Sequence, residues 1–71
     1  MGRFVVSQRD FIRILKENGF IQTSQRGSHR FWKKPGFRVT VDIKYSEYSG
    51  WLLNKMIEQS GLPKSIFRKQ R

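Results

Sequence analysis

The chain has no cysteine, which excludes disulfides, thiolate metal ligands and a cysteine nucleophile. Histidine occurs once, and the five carboxylates are scattered along the chain. That is too sparse for a clustered metal set, and no two carboxylates have a spacing that suggests glycoside or peptidase chemistry. No Gly-rich loop of the Walker or dinucleotide type is present either. The expectation is therefore no metal and no small-molecule cofactor. No apolar run approaches the roughly 20 residues of a membrane span, and Met1 to Val6 is too short for a signal peptide, so a soluble, cytoplasmic protein is expected.

What is abundant is positive charge. Fifteen Lys and Arg against five Asp and Glu leave a net charge of +10 over 71 residues. A field of one sign attracts polyanions and makes nucleic acid the first partner to consider. A basic, weakly hydrophobic chain borders on the composition of disordered tails. However, six Phe, two Trp and two Tyr, together with regular apolar spacing, are more than a solvated tail needs. At this length one small domain, residues 1–71, is expected, burying about 60% of its unfolded surface.

Ser7 followed by Asp10 has the spacing of a helix N-cap with an acidic first turn. Phe11, Ile14, Leu15 and Asn18 then fall on one helical face, and Gly19 ends the helix. Phe20 to Gln25 and His29 to Lys33 read as short strands joined by the Arg26-Gly27-Ser28 turn, and Lys34-Pro35-Gly36 forms the next turn. Phe37 to Ile43 alternates most clearly, predicting that Phe37, Val39, Val41 and Ile43 face the core. Lys44 to Ser49 lacks apolar periodicity and is expected to be a surface loop with Ser49 as the next N-cap. Trp51, Leu52, Leu53, Met56, Ile57 and Ser60 predict a second helix with a wide apolar stripe, stopped by Gly61. Leu62-Pro63 opens a short turn or helix in which Ile66 and Phe67 pack back, leaving Arg68, Lys69 and Arg71 as a basic end. The order α-β-β-β-α suits a two-layer α+β domain: a three-stranded antiparallel sheet with two helices on one face and a short C-terminal helix.

The candidate site is the segment Arg26-Gly27-Ser28-His29-Arg30, with Lys33, Lys34 and Arg38 nearby. Cations can hold a phosphate and offset charge that grows in a transition state, and an imidazole with a reference pKa of about 6.5 exchanges protons near neutrality. RNA carries its own nucleophile, the 2′-hydroxyl, so one base could start cleavage without a metal. Ser28 and His29 are adjacent, and neighbours on a strand point to opposite faces, so they make a poor nucleophile–base pair. No acidic partner for His29 is identifiable from the sequence. A lone histidine among cations is also commonly just a solvated side chain. His29 with Phe31, and Arg30 with Trp32, share opposite strand faces, so one aromatic belongs to the core and the other is outside; the sequence leaves open which.

The chain resembles the HicA family of small bacterial and phage toxins. The resemblance rests on the helix ending at Gly19-Phe20, on Arg26-Gly27-Ser28-His29, Trp32, Pro35-Gly36 and Val39-Thr40-Val41, and on Gly50, Ile57 and Gly61-Leu62, in the family's order. It implies a double-stranded-RNA-binding-domain-like (dsRBD-like) fold and mRNA cleavage with His29 as the catalytic histidine. It also implies inhibition by an antitoxin of the HicB type. The chain departs from the family pattern at Ser24, often basic, at Tyr45-Ser46-Glu47-Tyr48, often a Lys-rich loop with Pro, and at Trp51, often a small residue.

The combined expectation is a metal-independent endoribonuclease toxin, or mRNA interferase. In it His29 moves the proton, Arg26 and Arg30 hold the phosphate, and Ser28 orients a phosphate oxygen or the imidazole. Gly27 lets the backbone approach RNA, and Lys33, Lys34 and Arg38 extend the RNA-binding set. The rivals are a non-catalytic double-stranded-RNA binder, using Lys33, Lys34, Lys55 and Lys64 on phosphates, and a DNA-binding accessory protein.

Overall fold

The computed structural model describes residues 3–68. In chain order the elements are β1 (Val5–Ser7), α1 (Gln8–Glu17), β2 (Ile21–Arg26), β3 (His29–Lys34), β4 (Phe37–Asp42), β5 (Glu47–Ser49), α2 (Gly50–Ser60) and α3 (Lys64–Arg68). The architecture is α+β, with an antiparallel sheet in the order β2-β3-β4 and a separate two-stranded sheet, β1-β5.

Helix α1 starts where Ser7 Oγ accepts the Asp10 N–H at 3.0 Å. This supplies one of the partners that the first turn of a helix lacks. Its apolar stripe buries Phe11, Ile14 and Leu15. At the other end Lys34 Nζ donates to the Asn18 carbonyl at 3.2 Å, placing a cation where the helix dipole favours one.

Two tight turns set the register of the main sheet. Gly27-Ser28 joins β2 to β3 with Arg26 opposite His29, and Pro35-Gly36 joins β3 to β4 with Lys34 opposite Phe37. From there the ladder runs through Trp32 opposite Val39 to His29 opposite Asp42. One face of the sheet presents Trp32, Val39 and Val41 to a core shared with Phe11, Leu15, Leu53, Met56 and Phe67. Trp32 is thus the core aromatic. Phe31 lies on the outer face, its ring centroid 4.5 Å from the Arg38 guanidinium carbon.

Four expectations are corrected. Lys44 to Ser49 is not a surface loop throughout: Glu47–Ser49 pairs with Val5–Ser7, and Tyr48 is only 1% exposed. Three-residue strands are too short to display alternation, and this pair joins segments some forty residues apart in the chain. Ser49 occupies the N-cap position of α2, but its side chain makes no capping hydrogen bond. Trp51 is excluded from the α2 stripe, standing 76% exposed while Leu53, Met56 and Ile57 fill the core. Phe37, at the edge of β4, is 42% exposed and lies against Gly61, whereas Val39 and Val41 are fully buried. Of the expected basic end, Arg68 closes α3; Lys69 and Arg71 lie outside the described residues. Among the described residues no helix is long and apolar enough to cross a membrane.

Candidate active site

Three strand ends converge at one corner of the main sheet. His29 opens β3, Arg26 closes β2 opposite it, and Asp42 closes β4 on its other side. Directly opposed residues of an antiparallel pair share a face. His29, Arg26 and Asp42 therefore all project from the outer face. His29 Nε2 lies 3.5 Å from Asp42 Oδ2, with the imidazole about half exposed and the carboxylate largely covered.

Asp42 is the better held of the two. Its Oδ1 accepts the Lys44 backbone N–H at 3.1 Å, and the Ser28 hydroxyl donates to the carboxylate. The Tyr48 hydroxyl donates to the Asp42 backbone carbonyl at 2.8 Å. Desolvation pushes the Asp42 carboxyl upward, but the hydrogen bonds from Ser28 and Lys44, with the nearby charges of Lys44 and His29, outweigh it and leave the group below its ordinary value. A carboxylate beside an imidazole can hold the ring in one orientation.

The remaining expected residues divide by strand face. The Ser28 hydroxyl faces Asp42 and helps hold its carboxyl below the ordinary value. Gly27, with φ of +60°, makes the turn that brings Arg26 opposite His29. Lys33 and Arg38 oppose one another farther along the outer face, with Arg38 stacked on Phe31. Arg30 and Lys34 alternate onto the other face. There Arg30 Nε is buried with no hydrogen-bond partner, and Lys34 caps α1 beside the rings of Phe20 and Phe37. The outer face thus gathers His29, Arg26, Lys33 and Arg38 without Arg30 or Lys34.

Asp42 was missed in the sequence reading, although a signal existed. Once Pro35-Gly36 is taken as a two-residue hairpin turn, residue pairing places Asp42 opposite His29. A hollow of about 360 Å³ adjoins the pair, lined by His29, Asp42 and Thr40 on the sheet side, Tyr45 after it, and Trp51, Lys55 and Gln59 of α2. Among the described residues there is no group of three or more His, Asp or Glu side chains arranged to hold a metal ion.

A family model described as the HicA toxin of bacterial toxin–antitoxin systems matches residues 8–62. The chain belongs to the HicA toxin family. No curated protein and no solved structure gives a significant match. The HicA match runs from the first residue of α1 to just beyond Gly61, so it contains the whole main sheet with His29 and Asp42. As a HicA toxin, the protein is the toxic half of a toxin–antitoxin pair and has an antitoxin as its partner.

Proposed function

We propose that this HicA toxin is a metal-independent endoribonuclease that cleaves mRNA, with His29 as its proton-transfer residue. The carrying observation is the His29–Asp42 contact at 3.5 Å on a strand face that also bears Arg26. Neutral His29 takes the proton of a ribose 2′-hydroxyl, and the 2′-oxygen attacks the adjacent phosphorus. The bond from phosphorus to the 5′-oxygen breaks, and that oxygen receives a proton from the imidazolium or from water. Arg26 supplies positive charge where the phosphoryl oxygens gain negative charge. Asp42, kept ionised by Ser28 and the Lys44 amide, is a positioning residue that steadies the imidazolium.

Lys33 and Arg38 continue the cationic strip along the outer face and would track the RNA backbone. The antitoxin, of the HicB type, silences the toxin by covering this corner, and an mRNA substrate places the encounter in the cytoplasm. General acid–base catalysis contributes about 10²–10⁴-fold. His29→Ala should therefore lower the cleavage rate by that order while leaving RNA binding in place, with both proteins assayed in EDTA. Equal cleavage by the two proteins, or RNA binding without cleavage by the wild type, would sink the assignment; the latter would favour the non-catalytic binder.

A further inference from the structure

The cleavage chemistry uses only one wall of the hollow beside His29. Two exposed aromatic residues also line it. Trp51 is 76% exposed and Tyr45 44% exposed, and both line the same hollow as His29. Trp51 also borders a second hollow, shared with Asn54, Lys55, Glu58 and Lys64. Core packing does not account for the ring, since Leu53, Met56 and Ile57 already fill the buried face of α2. Lys55 Nζ sits 5.9 Å from the Trp51 ring centroid, setting a cation at the rim. At the floor, Leu52 and Met56 offer apolar surface while Thr40 and Gln59 offer hydrogen-bonding groups.

A nucleobase matches each of these features, with flat apolar faces, a hydrogen-bonding edge and an attached phosphate. We propose that this hollow holds an unpaired nucleobase next to the scissile phosphate, stacked on Trp51, so that Trp51 positions the substrate. The proposal rests on the reading of His29 as the RNA-cleaving residue and names what lies beside it. A base inside an A-form duplex has both faces covered by its neighbours, so an aromatic platform selects single-stranded RNA. The net charge of +10 and Lys55 at the rim favour the polyanion over a neutral apolar occupant.

The test compares wild type, Trp51→Ala and Trp51→Phe on single-stranded RNA. Cleavage is measured on the natural strand. Binding is measured on the same strand made uncleavable by one 2′-deoxyribose at the mapped cut, with and without an abasic residue at each flanking position. Trp32 is buried, so quenching of tryptophan fluorescence on binding reports Trp51. The expected result is that Trp51→Ala weakens binding by about 5- to 100-fold, the range of base–aromatic stacking, and raises KM more than it lowers kcat. Trp51→Phe restores most of the loss. An abasic residue at one flank costs the wild type a similar factor and costs Trp51→Ala nothing further. Unchanged binding by Trp51→Ala, or abasic and Trp51 losses that simply add, would overturn the proposal and leave the ring to a protein contact. Absence of cleavage by the wild type would instead overturn the role given to His29. In that case the binding arm, run on intact RNA with abasic residues scanned through it, still decides Trp51.

Discussion

At His29 the imidazole is half exposed and reaches Asp42 at 3.5 Å, a long contact open to water. Its length and exposure make it a weak contact, screened by solvent. Asp42→Asn should therefore slow RNA cleavage by about tenfold, far less than His29→Ala, measured as kcat/KM across a pH series. The Asp42 carboxyl is held below its ordinary value of 3.8. Its stabilising contribution is complete above that value and is lost as pH falls through the lower, folded-state value. The asparagine variant should lack this part of the acid-side loss in a denaturant titration. The histidine stands out in the sequence because it is the sole one and is set among cations. Its carboxylate partner was not, because the two are distant in the chain and meet only through hairpin register. Arg30 and Lys34, close to His29 in sequence, lie on the other face of the sheet because alternate residues of a strand point to opposite sides.

Among the elements, α1 and the two hairpins were legible because each carries a local signal: the Ser7–Asp10 cap, the Gly27 and Pro35-Gly36 turns, and the alternation of Phe37 to Ile43. The β1-β5 sheet was not. Its strands are three residues each, and only pairing across the chain defines them. Trp51 was assigned to the core because its spacing along α2 fits the apolar stripe, whereas the helix buries Leu53, Met56 and Ile57 and leaves Trp51 exposed. Glycine positions separate backbone from packing effects. Gly61 ends α2 with φ of +70°, and a Cβ there would run into the Phe37 ring. Gly36 has φ of +86° with nothing within 4 Å of the added atom. The left-handed conformation costs a non-glycine residue about 1–2 kcal/mol. Gly36→Ala should lose about that much in chemical denaturation, and Gly61→Ala distinctly more. Equal losses would contradict the packing of Phe37 on Gly61.

Across the whole molecule, Tyr48 ties the two sheets together, since it belongs to β5 and its hydroxyl donates to the Asp42 carbonyl at the end of β4. Burial pushes the Tyr48 hydroxyl from 10.0 up to about 12, against a hydrogen bond with Gln8 and with help from the Asp42 charge. The folded state therefore retains a proton that the unfolded chain releases, and stability is lost as pH rises from 10 to about 12. Tyr48→Phe should flatten that alkaline limb. At neutral pH it should cost about 0.5–1.5 kcal/mol, the net contribution of one hydrogen bond, because the Asp42 carbonyl keeps the longer bond from the Tyr45 N–H at 3.5 Å. The same tie anchors the backbone of the strand end that carries Asp42, so the small second sheet supports the corner where His29 meets Asp42. The central claim is that His29 activates a 2′-hydroxyl, and the most direct measurement uses an RNA carrying a single deoxyribose at the mapped cleavage position. The expected result is loss of cleavage at that position alone, with other sites cut at their usual rates. Undiminished cleavage at the deoxyribose would contradict the account.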